Sequence, residues 1–404
     1  MNRNSFLKLA GLGSFAAITP TNTLLSNEYG NKKKLTAKTD IKVTAVKTYV
    51  HPTACFVKIE TDAGISGWGE ADHDHTQIVA KAIREVGAKY VIGKDPFDSE
   101  YIWNNIFYLG EDLGTNGVAT GALAGIDNAL WDLKGKITGL PVHKLLGSNN
   151  VEKIKVYGSF GRGEGKKIKT AEECGKIAAD FVAKGYDTVK LRMQIRIQNR
   201  NPLPDPTLNY VKAVRKAIGD DITLFVDFNN GYTPGIAIQN ILKCYELYNV
   251  SVVEEPVSYK DYDGLSQCVE ASPIRIAAGE HEFNRFEIRD LITQGKADII
   301  NLDIIKGGGI SEMKKAANLA QAFEKEVMCH NARPTLATAA TIQLAASIFN
   351  AARIQEHGGE RPELKQWECF NNRFKFEAGY LYLPEEPGLG LIVNEPEMNK
   401  YQVV

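Results

Sequence analysis

The chain has 404 residues, 44% hydrophobic and 24% charged, enough for a barrel of typically about 250 residues with roughly one further domain. A formal net charge of −1, with no basic run flanked by aromatic residues, leaves no pattern suited to a phosphate backbone, so nucleic acid is not an expected partner. Six cysteines, at 55, 174, 244, 268, 329 and 369, form no C-x-x-C pair, so neither a zinc site nor a disulfide framework is indicated.

Taken in order, residues 1–26 read as an export-signal-like segment: a basic start at Arg3 and Lys8, an apolar centre from Leu9 to Ile18, then a polar exit with Pro20. The apolar centre is too short to span a bilayer, so no membrane span is expected, and the reading is a periplasmic protein; a tail on a cytoplasmic protein is the alternative. From Ile41 to Glu70 the sequence alternates as antiparallel strands, with Asp62-Ala63-Gly64 as a turn. Three helical patterns follow, the last closing at Gly139 ahead of Pro141. Residues 41–147 therefore form an α+β unit.

A second unit, 151–364, opens at Ile154-Lys155-Val156, and Thr170 with Glu173 predicts a capping box at the first helix. The next strand carries Lys190 and Arg192, two apart and so on one face. A polar, Pro-rich insertion runs from Met193 to Pro206. Beyond it, Asp227, Glu254, Glu280, Asp303, His330 and Glu356 each end an apolar run, at gaps of 27, 26, 23, 27 and 26 residues. That spacing accommodates one strand, one helix and two loops, the period of a β/α barrel, whose strand ends converge on one mouth. A single acid in such a place would be read as a helix cap; six residues in register are read as a site.

Asp227, Glu254 and Glu280 are oxygen donors suited to a hard divalent cation, and Mg²⁺ is the expected ion. Asp303 would orient His330, which would take a proton from the carbon beside a metal-bound substrate carboxylate. The alternative for His330 is an ordinary core histidine. Gly307-Gly308-Gly309 is read as a tight strand-to-helix turn, since the spacing of a dinucleotide or P-loop motif is missing.

These residues resemble the enolase superfamily in its mandelate racemase-like subgroup. The likeness rests on Gly67-Trp68-Gly69-Glu70, on Asp127, Trp131 and Asp132, on Lys190-Leu191-Arg192, and on Asp227-Phe228-Asn229. It extends to Glu254-Glu255-Pro256, Gly279-Glu280 and Asp303 with His330. It implies a modified TIM barrel, (β/α)7β, under an N-terminal α+β capping domain completed by the C-terminal tail, about 365–404. It also implies Asp227, Glu254 and Glu280 as metal ligands, Glu255 as their support, an Asp303–His330 dyad, and Glu356 bonded to substrate. His51, Thr53 and Asn229 fall where substrate is bound, and a homo-oligomer is expected.

Racemases of the subgroup carry Lys-x-Lys on the second barrel strand; here the second position is Arg192, a poor base. Elimination needs one base that later serves as acid, so dehydration of a sugar acid ranks above racemisation or epimerisation. A non-catalytic binder of acid sugars remains as a third reading.

Overall fold

The computed structural model describes residues 41–403 apart from 73, 74, 332, 360 and 362. The export-like segment lies outside the described residues. No helix among the described residues is long and apolar enough to cross a membrane.

The alternating pattern near the start folds into β1 (Val43–His51), β2 (Ala54–Thr61) and β3 (Ser66–Ala71), joined as an antiparallel meander. Helix Val118–Thr138 lies against β3 and ends at Gly139, whose φ of 72° is the left-handed cap expected there. The Gly-Trp-Gly-Glu motif is explained by that contact: a methyl on Gly69 would run into the Gly125 carbonyl of the helix. Between sheet and helices lies a core of fully buried side chains that includes Val57, Ile59, Ile102, Trp103 and Ile126. Each such large apolar group contributes about 1.5–3 kcal/mol relative to exposure.

The barrel strands are β4 (Lys153–Gly161), β5 (Thr188–Arg192), β6 (Thr223–Asp227), β7 (Val250–Glu254), β8 (Arg275–Ala278), β9 (Ile299–Ile300), β10 (Glu326–Val327) and β11 (Gln355–His357). Each pairs in parallel with the next as far as β10, and β11 returns beside β4. A parallel bridge from Val327 to Ala351 joins the remaining edge. The lower interior is filled by Tyr157, Phe225, Val252, Ala277, Ile299 and Met328, so this part of the barrel is a packed core and not a pore. The Thr170–Glu173 capping box forms as the sequence predicts.

The C-terminal tail divides between the two units. Strand β12 (Phe376–Glu377) and β13 (Tyr380–Tyr382) form a hairpin, and β13 pairs antiparallel with the first residues of β4. Only β14 (Gln402–Val403) joins β1 in the capping sheet. The physical reason is an open edge: β4 begins three residues before β11 reaches it, and the hairpin satisfies those backbone groups.

The two units are locked by charged groups that the sequence motif supplies. Asp127 accepts hydrogen bonds from the Ser311 N–H (2.8 Å) and hydroxyl (2.6 Å) at the start of helix Ile310–Ala322, and Trp131 Nε1 donates to the same hydroxyl at 2.9 Å. Glu70 accepts from Thr335 Oγ1 (3.0 Å) and the Ala337 N–H (2.9 Å) at another barrel helix. Burial pushes the Glu70 carboxyl up to about 7 and Asp127 up to about 6. Gly309, with φ of 90°, makes the tight turn beside Asp127; a Cβ there would sit 2.6 Å from the carboxylate. Asp127→Ala is expected to cost about 3 kcal/mol, because it strands two buried donors. Urea unfolding measures this, and a loss below about 0.5 kcal/mol, the range of an ordinary surface substitution, would show that the clamp is unimportant.

Candidate active site at the barrel mouth

Strand register brings the acids together. Arg192 lies opposite Asp227, and Asp227 opposite Glu254, on three adjacent strands. Lys190, one inward-facing position below Arg192, is completely buried, with its Nζ 2.7 Å from Glu254 Oε2 and 3.0 Å from Glu356 Oε1. Burial alone would lower the Lys190 ammonium, but Glu254 and Glu356 override it and hold it well above its ordinary range. Burial likewise opposes ionisation of Glu356, which Lys190, His330 and Arg192 reverse, bringing it down to about 2.

For Asp227 and Glu254 the pull of Lys190 does not outweigh burial and the neighbouring acids. Burial, opposed by Lys190 and reinforced by Glu280 and Glu255, pushes Asp227 up to about 7. Glu254 moves strongly in the same direction through burial and its neighbours Asp227, Glu356 and Glu280. Its Oε1 is buried without a hydrogen-bond donor among the described residues. Buried carboxyls that resist ionisation, with an oxygen left undonated, are a donor set that a hard divalent cation fits.

Asp227 itself is held by Asn229, whose N–H donates at 2.7 Å and whose Nδ2 donates at 2.6 Å. Asn229 Oδ1 accepts from the Gln194 N–H at 2.6 Å, so its amide bridges Asp227 to the Pro-rich insertion. Asn229 is thus a positioning residue in this arrangement, engaged on both sides.

His330 Nδ1 is 2.7 Å from Asp303 Oδ2, and the other Asp303 oxygen accepts from the Ile305 and Lys306 N–H groups at 2.9 and 3.0 Å. An aspartate fixed in this way directs the imidazole's remaining nitrogen into the site. His330 Nε2 is 3.0 Å from Glu280 Oε2 and 3.9 Å from Glu356 Oε2. Burial would lower the imidazole, and Glu280, Glu356 and Asp303 together outweigh it and raise it above its ordinary range. Glu280 correspondingly lies well below the usual carboxylate range, burial being outweighed by His330, Lys306 and His281.

One neighbour escaped the sequence reading. His281 Nδ1 sits 2.5 Å from Glu255 Oε1 and 3.8 Å from Glu280 Oε1, its ring stacked on Tyr259 at 4.7 Å. Asn230 Nδ2 donates to the other Glu255 oxygen at 2.7 Å. Ligand atoms of Glu255, Glu280 and His281 lie within 4.8 Å of one another. The signal was adjacency: His281 follows Glu280 directly, but only the fold places it against Glu255. Lys306, just after Asp303, is a further nearby cation at 3.8 Å from its carboxylate.

His51 and Thr53 lie at the turn between β1 and β2. They hydrogen-bond to each other at 3.0 Å, and Thr53 Oγ1 donates to Gln366 Oε1 at 2.8 Å, on the C-terminal segment. Among the described residues, no hydrogen bond joins them to the barrel carboxylates. Arg192 is part-exposed at the rim, and its Nε finds no acceptor among the described residues.

Residues 33–147 match the mandelate racemase / muconate lactonizing enzyme N-terminal domain, and residues 173–397 the enolase C-terminal domain-like family. The chain belongs to the enolase superfamily, in its mandelate racemase / muconate lactonizing enzyme branch.

Among the relatives of this enolase superfamily member is a D-galactonate dehydratase of Cronobacter sakazakii, 31% identical over 89% of this chain and 94% of that one. A D-galactonate dehydratase of Ralstonia nicotianae is 30% identical over 88% and 93%. Of solved structures, the 3,6-anhydro-D-galactonate cycloisomerase of Zobellia galactanivorans superposes with a TM-score of 0.79 at 30% identity, covering 90% of this chain and all of that one. An enolase superfamily member from Salmonella Typhimurium superposes with a TM-score of 0.81 at 29% identity, over 90% and 98%.

Proposed function

We propose that the protein is a Mg²⁺-dependent dehydratase of an acid sugar, removing the proton next to the carboxylate and expelling the neighbouring hydroxyl to leave a 2-keto-3-deoxy acid. The observation that carries this reading is the unequal chemistry of the two sides of the site. His330, oriented by Asp303, is the group able to exchange a proton; Lys190 is locked as an ammonium between Glu254 and Glu356. Inversion at a stereocentre calls for a second base, and neither Lys190 nor Arg192 is fit to be one. The dehydratase relatives support the same conclusion.

Asp227, Glu254 and Glu280 would hold the Mg²⁺, which supplies positive charge where the substrate carboxylate gains negative charge as its neighbouring proton leaves. His330 Nε2 takes the proton from C2. The electron pair left behind makes C2–C3 a double bond as the C3–O bond breaks, and the same imidazolium returns its proton to the departing hydroxyl, giving water. The enol then becomes the 2-keto acid. Lys190 and Glu356 sit where one oxygen of the substrate carboxylate would be bound, and the buried Nε of Arg192, without an acceptor among the described residues, is a donor for a substrate oxygen.

The test is product analysis with a panel of aldonic and aldaric acids and Mg²⁺. Dehydration accumulates a keto acid that semicarbazide traps, lighter than the substrate by one water. In D₂O, epimerisation would instead put deuterium at C2 of recovered substrate, and a cycloisomerase would leave the mass unchanged; either result sinks the proposal. Mg²⁺ at a hundredfold excess over its Kd is expected to add about 2.7 kcal/mol of stability. A melting temperature that Mg²⁺ does not raise and EDTA does not lower would remove the metal assignment.

His330 provides a pH prediction. Its neighbours Glu280 and Glu356 favour the imidazolium, so its pKa is expected to be higher in EDTA than in Mg²⁺, where Glu280 has another positive partner. With Mg²⁺ present, kcat/KM rises as pH increases through the His330 pKa, because only the neutral ring is a base. Side-chain NMR titration in both conditions measures the difference, and identical titration curves would contradict it.

A further inference from the structure

Beside the mouth lies a cavity of about 810 Å³, between the loop at 162–168 that follows β4 and the insertion at 194–206. Clefts of roughly 300–1,000 Å³ accommodate drug-sized ligands. An open-chain acid anchored by its carboxylate among Asp227, Glu254 and Glu280 would leave most of this one unfilled.

Its walls have the chemistry of a carbohydrate subsite. Gln198 and Asn199 offer paired donors and acceptors to hydroxyls, while Ile168 and Pro202 present apolar faces to the C–H side of a ring. Arg196 stands between cavity and site: its Nε donates to Glu164 Oε1 at 2.8 Å, and its charge is felt by Asp227 and Glu280. With φ of 63° and ψ of 152°, Arg196 occupies backbone space that is nearly confined to glycine, a strain that tends to persist where function requires it. The wall is also tied to the acids. Gln194 is held by the Gly163 N–H at 2.7 Å, and its own N–H reaches Asn229, the residue that positions Asp227.

We propose that this cavity is a subsite for a glycosyl residue on the far end of the substrate, with Arg196 as the specificity-determining residue at the junction. The substrate class is then an aldonic acid carrying a sugar in O-glycosidic linkage at C4 or beyond, which leaves the C2 proton and C3 hydroxyl free for elimination. This rests on the dehydratase reading and narrows it.

Equilibrium titration of the Mg²⁺-loaded, full-length His330→Asn protein with lactobionate, gluconate and glucarate tests it without turnover. Lactobionate is expected to bind at least tenfold more tightly than gluconate, and Gln198→Trp, an exposed position whose new ring would intrude on the space a sugar ring needs, should reduce that ratio to near one. KM ratios for the same acids on the parent chain give the same comparison should His330→Asn fold poorly. A lactobionate-to-gluconate ratio of one or less, or a ratio that Gln198→Trp leaves intact, overturns the proposal. So does tighter binding of glucarate, which would assign the cavity to a second carboxylate. Failure of the dehydratase reading looks different: lactobionate still binds preferentially, but the parent chain forms no keto acid.

Discussion

His330→Asn is expected to lower kcat by about a thousandfold, the scale on which general acid–base groups act, while Mg²⁺ binding and the unfolding transition persist. The replacement keeps a hydrogen-bonding group beside Asp303 but removes the nitrogen that exchanges the proton. Because the same ring serves as base toward C2 and acid toward the leaving hydroxyl, both half-steps fail together, and the loss falls in kcat rather than KM. Asp303→Asn is the informative companion. It removes one of the anions that raise the imidazole, so the pH profile of residual activity should move toward lower pH. Turnover within tenfold of the parent in the His330→Asn protein would transfer the role of base to another group.

Lys190→Met is expected to destabilise the chain by about 3–5 kcal/mol at neutral pH, the usual result of removing one partner from a buried ion pair. The ammonium is completely buried and is shared by Glu254 and Glu356. The sign of the pH dependence follows from Glu356. In the parent its folded value lies near 2, below that of the unfolded chain, so it contributes stability above the unfolded value that is lost as pH falls toward 2. Without Lys190, burial works against only His330 and Arg192, so the folded value rises and the folded variant takes up protons sooner than the parent. Its deficit should therefore shrink between pH 8 and pH 5, and Mg²⁺ should narrow it further by supplying positive charge to the same oxygens. Urea unfolding across that range measures the effect; a gap that is constant with pH and indifferent to Mg²⁺ would mean that Lys190 acts by packing alone.

Much of the architecture was legible in the chain. Apolar runs ending in Asp227, Glu254, Glu280, Asp303, His330 and Glu356 at nearly even gaps specify strands whose ends share a rim, because a parallel strand–helix repeat can hardly close otherwise. The Asp303–His330 bond and the Thr170 capping box were equally readable, one from two successive strand ends and the other from a local four-residue pattern. Lys190 and Arg192 were correctly expected on one face, yet spacing alone does not separate their depths; the barrel wall encloses Lys190 and leaves Arg192 at the rim.

The sequence by itself therefore determined the order of strands and helices and the set of acids that meet at one mouth, since both follow from periodicity, which is local. Only the tertiary structure decided how those charges are partnered: Lys190 between Glu254 and Glu356, His281 against Glu255, Asn229 turned to Asp227 and Gln194, and the C-terminal tail split between two sheets. Pairing of that kind depends on ångström-scale distances between residues remote in sequence, and in a buried site those distances set which carboxyl is ionised and which atom is left for a ligand.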